Sequence, residues 1–255
     1  SFSTWAFPAA NCQGIVSGSD ALEGPYIWPI CAVDNDGANA IVHAVASESP
    51  TTTTDVQYLV YYRSNNGITA SGPTCGFWID STDNITPVIA QDPNSNNVAI
   101  VYIRSKDQAF TGGIQQHNGD VVYRESSNLG NTWGALVNIT EYTGADLERA
   151  YTDCDAMYTA DGCLHVAWNA PTFDSVAGTV TAQAAKLRHW DDCNDCISLA
   201  IDANHFDAAG DVGAWTKNVA KMNLSECTVG ANKILYLTYT YFKSDETDPL
   251  TFDVS

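Results

Sequence analysis

Stretches of this chain align under one another at a spacing of about sixty residues, and this spacing constrains the fold more than any other feature. The first reads PICAVDNDGANAIVHAVA, then a Thr-rich loop, then VQYLVYYRSNNG. The second reads TPVIAQDPNSNNVAIVYI, a long loop, then GDVVYRESSNLGNTW; the third TDCDAMYTADGCLHVAWNA, a loop, then AAKLRHWDDCND. A fourth begins at KMNLSECTVGANKILYLTYTYF and stops inside its third strand, near LTFDVS. Each unit is an apolar, β-branched run, a tight Asp/Gly/Asn turn, a second run, a variable loop and a third run. His43, Val101 and His165 fall at equivalent places in the alignment, as do Arg63, Arg124 and Arg188. Only ADLERA and TAQAAKLRHW have helix-like composition, and the second also fits a strand by its place in the repeat.

Units of three or four antiparallel strands at this period predict an all-β fold, a β-propeller built from repeats of about 60 residues. The units run approximately 25–85, 86–148, 149–215 and 216–255 and form a single propeller or propeller segment. Each blade buries its faces only against its neighbours, so periodic packing yields a periodic sequence. A pair of β-sandwiches is the rival, but it does not explain loops and arginines recurring in register. The unfinished fourth unit leaves an edge that the segment around FSTWAF, or further chain, would have to cover.

The segment SSNLGNTWG follows the third strand of the second unit. Its Ser126-x-Asn128-x-Gly130-x-Thr132-Trp133 resembles the Asp-box, or BNR repeat, of sialidase-like propellers, with Asn in place of the usual Asp. The role is structural. The Asx side chain accepts backbone N–H bonds across the turn, Gly takes the positive-φ position, and Trp folds under the hairpin. The resemblance covers roughly residues 25–245, largely through strand pattern. It implies boxes on the blade periphery and an active face elsewhere. Sialidases of this family use an arginine triad, a Tyr–Glu pair and an Asp acid/base. Of the five arginines here, three share one repeat position as blade braces, which leaves Arg104 and Arg149, short of a triad. The family's Arg-Ile-Pro motif is absent as well, so sialidase activity does not transfer residue by residue.

Thirty acidic residues face eleven basic ones, a net charge of −19, which disfavours nucleic acid and anionic membrane surfaces. Cations are the natural counterpart, Ca²⁺ first. Asp34, Asp36 and Asn39 place oxygens around the Gly37 turn, which reads as a plain Asx-rich hairpin or, with Ca²⁺ bound, as the opening of a Ca²⁺ loop that lacks the closing Glu of an EF-hand. An even count of eight cysteines in a Thr/Asn-rich, Lys-poor chain reads as an exported, oxidised protein, extracellular or at the cell surface. The N-terminal SFSTWAFPAANC lacks signal-peptide character, so such a segment is expected to have been removed already. No stretch is apolar enough to span a bilayer. Cys193 and Cys196 form the single CxxC, expected to be a local disulfide because no second metal-ligand pair follows. The sequons at Asn84, Asn138 and Asn223 are candidate glycan sites.

No catalytic set stands out. A glycosidase needs two carboxylates, for which Asp92, Asp153, Asp155 and Glu226 are candidates among many. His43 and His165 read as core or inter-blade histidines rather than metal ligands or bases. The reading that results is a secreted or cell-surface, non-catalytic propeller acting in binding or extracellular assembly, with glycan, protein or self partners. The alternatives are a sialidase-like glycoside hydrolase and a structural subunit of an extracellular polymer.

Overall fold

The computed structural model describes residues 26–35, 37, 40–48, 57–64, 74–84, 87–106, 115–202, 217, 219–230, 232–241 and 253–254. Strands dominate. The first sheet runs β1 (Tyr26–Asn35), β2 (Ala40–Glu48), β3 (Gln57–Ser64) and β4 (Thr74–Thr82). The second holds β5 (Val88–Gln91), β6 (Val98–Ser105), β7 (Gly119–Ser126) and β8 (Val137–Asn138). The third holds β9 (Cys154–Tyr158), β10 (Leu164–Asp174), β11 (Thr179–Asp191) and β12 (Ser198–Asp202). The fourth holds β13 (Val219–Val229), β14 (Asn232–Tyr241) and β15 (Asp253–Val254). Each sheet is an antiparallel meander in which strand order follows chain order.

The sheets stack face to face in sequence, because strand alternation gives each two apolar faces. Val45, Leu59 and Tyr61 of the first sheet pack on Val98, Ile100 and Tyr102 of the second. The opposite face of β6, with Ala99, Val101 and Ile103, packs on Leu164, Val166, Trp168 and Trp190 of the third. Ala167 and Leu187, on the far side of the third sheet, meet Val219, Met222 and Leu224 of the fourth. The leading strands also adjoin in order, β1 with β5, β5 with β9, and β9 with β13. Separate meander sheets, packed in chain order with their first strands lining one edge, are β-propeller blades and not the two shared sheets of a sandwich.

Neither helix-like segment is helical. TAQAAKLRHW lies in β11, and ADLERA is an irregular crossing segment held by isolated bridges. Three Ala residues raise helix propensity in the first, but both faces of β11 are needed for packing, and tertiary context overrides propensity. The arginine alignment is also corrected. Arg63 lies opposite His43 and faces the second sheet, whereas Arg124 opposite Ile100 and Arg188 opposite Trp168 face back toward the preceding sheet. A slip of one residue reverses a side chain's face, so spacing in sequence did not preserve equivalence. The strand pairs next to each turn, Val42 with Ser64 and Val98 with Ser126, likewise make Ala99 rather than Val101 the counterpart of His43.

Candidate active site

Four unusual residues lie near the starting ends of the leading strands, one in each sheet or in the segment entering it. Trp28 sits in a bulge of β1 with φ +49 and is about half exposed. Lys221 sits in a matching bulge of β13 with φ +54. A non-glycine residue in left-handed backbone costs about 1 kcal/mol, and bulges re-aim side chains. The Lys221 bulge turns Nζ onto Asp153, which immediately precedes β9, at 3.1 Å. The other Asp153 oxygen, Oδ2, is buried without a hydrogen-bond partner among the described residues.

Asp83, in the segment crossing from β4 to β5, is the fourth. Both of its carboxyl oxygens are buried with no hydrogen-bond partner among the described residues. Burial raises its pKa to about 6. Its neighbour Asn84 donates to the Gln116 carbonyl at 3.5 Å and lies beside Gly119, which bridges to Ala150. The segment that precedes β9 therefore reaches the same end of the stack. There Tyr151 meets the His117 ring edge-on at 5.3 Å and carries the Lys217 ammonium 4.8 Å over its face. Burial, followed by the Lys217 charge, lowers the His117 pKa.

The leading strands run side by side in one direction. Lys221 meets Asp153, Leu224 N donates to Asp155 Oδ2 at 2.6 Å, and Glu226 accepts from Ala160 N at 2.7 Å. Asp155 and Glu226 thus join strands. Burial raises the Asp155 pKa, offset in part by its backbone donors. Asp92 caps its own turn through Asn94 N and Ser95 Oγ. Of the four carboxylates picked from sequence, only Asp153 lies just before a leading strand and pairs with Lys221. Asp83 and Trp28 were missed, because burial and a bulge leave no mark in the residue string. The two remaining arginines are committed elsewhere. Arg104 pairs with Asp80 at 2.8 Å, and buried Arg149 binds the carbonyls of Thr143, Asp146 and Glu148.

The Ser126 to Trp133 hairpin closes the far end. Ser126 Oγ accepts from Gly130 N at 2.9 Å, and Asn128 Oδ1 accepts from Thr132 N at 2.9 Å. Gly130 takes φ +75, and Trp133 packs edge-on against Tyr61 of the preceding sheet at 4.8 Å. The CxxC expectation is corrected: Cys193 is bonded to Cys163, and Cys196 is free. Cys163 leads into β10 and Cys193 follows β11, so antiparallel pairing sets their Cα atoms 5.6 Å apart. At the Ca²⁺ candidate, Asp34 Oδ1 accepts from Asn35 N at 2.6 Å; Asp36 and Asn39 lie outside the described residues. Of the sequon residues, Asn84 is buried, which a glycan site cannot be. Asn138 is exposed but donates its amide to Asp120, and Asn223 is exposed on β13. The FSTWAF segment is outside the described residues.

No protein-family model matches the sequence, and no curated protein matches it either. Among solved structures, it is similar to Penicillium chrysogenum α-L-arabinanase complexed with arabinobiose, with 14% identity over 89% of this chain and 60% of that one, TM-score 0.49. It is also similar to the Fusarium graminearum α-L-arabinofuranosidase bound to an iminosugar inhibitor, with 14% identity, 90% and 66% coverage and TM-score 0.47. Trypanosoma rangeli sialidase with difluorosialic acid follows at 11% identity, 86% and 36% coverage and TM-score 0.43. The chain spans less than two thirds of the length of each. Likeness at this depth decides neither activity nor substrate.

Proposed function

We propose that this propeller acts on carbohydrate as a glycoside hydrolase, with Asp83 as proton donor, Asp153 as the second carboxylate and Trp28 as a sugar-stacking platform. The observation that carries the reading is the Asp83 carboxyl, with both oxygens buried and unpartnered and a pKa near 6. Glycoside hydrolysis needs one carboxyl kept protonated near neutrality and a second kept charged. Asp153, paired with the Lys221 ammonium at 3.1 Å, is the candidate for the second carboxylate. Without these features the sequence alone favours a non-catalytic module. The two carboxyls move the reading to hydrolysis.

The proposal takes the hairpin at Ser126, Asn128, Gly130, Thr132 and Trp133 as an Asp-box turn with a purely structural role. It places the protein outside the cytoplasm, in keeping with the Cys163–Cys193 disulfide. No helix among the described residues is long and apolar enough to cross a membrane. Calcium at the Asp34 turn is a secondary proposal, supported by Asp34 Oδ2, which is buried without a partner among the described residues. A rise in Tm with Ca²⁺ that EGTA reverses supports it, and an unchanged Tm removes it.

The main test is hydrolysis across a panel of arabinosides, sialosides and other glycosides by wild type, Asp83→Asn and Asp153→Asn. Release of sugar by wild type, cut by about 10²-fold or more in each variant, is expected. A folded wild-type protein that cleaves nothing but retains glycans on a column returns the chain to a binding role.

A further inference from the structure

We propose that His165, His189 and Asp191 form a transition-metal site, zinc first, at the end of the third sheet opposite the candidate active site. His165 Nδ1 and His189 Nε2 stand 2.9 Å apart, and one Asp191 oxygen joins them with all ligand atoms within 4.8 Å. The rings are close to parallel, at 25°. Imidazole pairs with one carboxylate suit zinc, and three protein ligands leave a fourth position for water. Zinc–nitrogen bonds of about 2.0–2.1 Å at a tetrahedral angle put two ring nitrogens roughly 3.3 Å apart, so the rings need open by only a few tenths of an ångström.

The repeat explains why this set is more than chance crowding. His43 pairs with Arg63 and Val45 with Tyr61 in the first sheet, while His165 pairs with Asp191 and Ala167 with His189 in the third. The two trios occupy the same register positions on the face toward the next sheet. In the first sheet the trio is His, Tyr and Arg, with His43 and Tyr61 buried and joined by a 2.6 Å hydrogen bond between Tyr61 Oη and His43 Nδ1. In the second it is Ala99, Tyr123 and Glu125. The fold therefore does not require histidine there. In the third sheet, Tyr becomes His and a cation becomes an acid, each in the direction that makes a ligand.

The surroundings hold the site in place. Cys163 and Cys193, each two residues beyond a ligand, are disulfide-bonded and fix the base of the β10–β11 hairpin. Asp191 Oδ1 accepts from Asn194 N and Nδ2, both at 2.8 Å, which orients the carboxylate. The other His189 nitrogen, Nδ1, lies 3.4 Å from Ser198 Oγ, the outer-shell partner a ligating imidazole commonly has.

The test uses the full chain with its disulfide intact, stripped with EDTA and then loaded with ZnCl₂. Zinc per chain is measured after gel filtration, and affinity by competition with a chromogenic chelator. One zinc per wild-type chain is expected, with affinity at least tenfold lower in Asp191→Asn and no retained zinc in His165→Gln/His189→Tyr. His189→Tyr places at 189 the residue type that the first sheet has at 61, and Ala99 of the second sheet shows that position 165 need not be histidine, so the double variant should keep wild-type circular dichroism. Asp83→Asn should bind zinc like wild type, which separates this site from the hydrolase reading. A folded wild type that retains no zinc, leaving only a His–His hydrogen bond, overturns the proposal. So does equal retention by the double variant.

Discussion

Gly130 of the second sheet's hairpin stands against the hydroxyl of Tyr61 in the first sheet. A Cβ at position 130 would lie 1.8 Å from Tyr61 Oη, 2.7 Å from its Cζ and 3.3 Å from His43 Nδ1. Tyr61 cannot swing away without giving up its 2.6 Å bond to His43. Gly130→Ala therefore combines left-handed backbone strain with overpacking and should cost about 2–4 kcal/mol. Denaturant unfolding measures it; a loss below about 1 kcal/mol would mean the sheet interface yields.

Asn128 tests whether the turn needs an acceptor or a charge. Its Oδ1 takes a bond from Thr132 N at 2.9 Å and one from Ser126 Oγ at 2.9 Å. Asn128→Ala removes both and should destabilise by about 1–2 kcal/mol. Asn128→Asp keeps the acceptor and should unfold at the wild-type midpoint or above it. Equal losses in the two variants would show that the side-chain oxygen does not hold the turn.

The architecture was legible in the sequence because period-two alternation and Gly/Asn turns are local signals, repeated once per blade. Register was not. The arginines at 63, 124 and 188 recur at intervals of 61 (124 minus 63) and 64 (188 minus 124), yet Arg63 faces forward and the other two face back. Cys163 pairs with Cys193 across a hairpin, a contact no local spacing reveals. The site depends on the same kind of information. Asp153 was in view as one acid among many, whereas Asp83 became distinctive only once its oxygens were seen to be buried. His189 sat in a segment of helix-like composition, and strand pairing was needed to bring it to His165.

The disulfide closes a loop of 30 residues, for which chain entropy gives about 3–4 kcal/mol. Cys163→Ser/Cys193→Ser should lower stability by that order, and reducing agent should do the same to wild type. Cys196→Ser should change neither stability nor sensitivity to reductant. Protection by Cys196 in place of Cys193 would restore the local CxxC bridge.

His43 makes stability pH-dependent. It is fully buried, and desolvation, helped by the Arg63 charge, lowers its pKa to about 4. An unfolded His titrates near 6.5, so between those values the unfolded chain binds the extra proton. Stability contributed by neutral His43 is present above pH 6.5 and is lost progressively as pH falls toward 4, about 2–3 kcal/mol in all. His43→Gln should remove this rise of stability with pH and leave only the slopes of the other groups. An unchanged slope between pH 4 and 6.5 would place the proton uptake elsewhere.

Asp83 works in the opposite sense over nearly the same range. Its folded pKa of about 6 lies above the ordinary carboxyl value, so between roughly pH 4 and 6 the native state holds a proton that the unfolded chain releases. Stability therefore falls as pH rises through that window and is level above it. Allowing for solvent screening at a partly open site, the loss is about 1–2 kcal/mol. Asp83→Asn cannot ionise, so it should match wild type at pH 3 and exceed it by that amount at pH 7. The wild-type profile between pH 4 and 6 should look flat because His43 and Asp83 offset each other, and each single variant should unmask the other's slope. If Asp83 is the proton donor, hydrolysis should also decline above pH 6 in wild type, the same pH at which its stability curve levels. An Asp83→Asn protein no more stable than wild type at pH 7 would show a solvated carboxylate and remove the acid from the proposed mechanism.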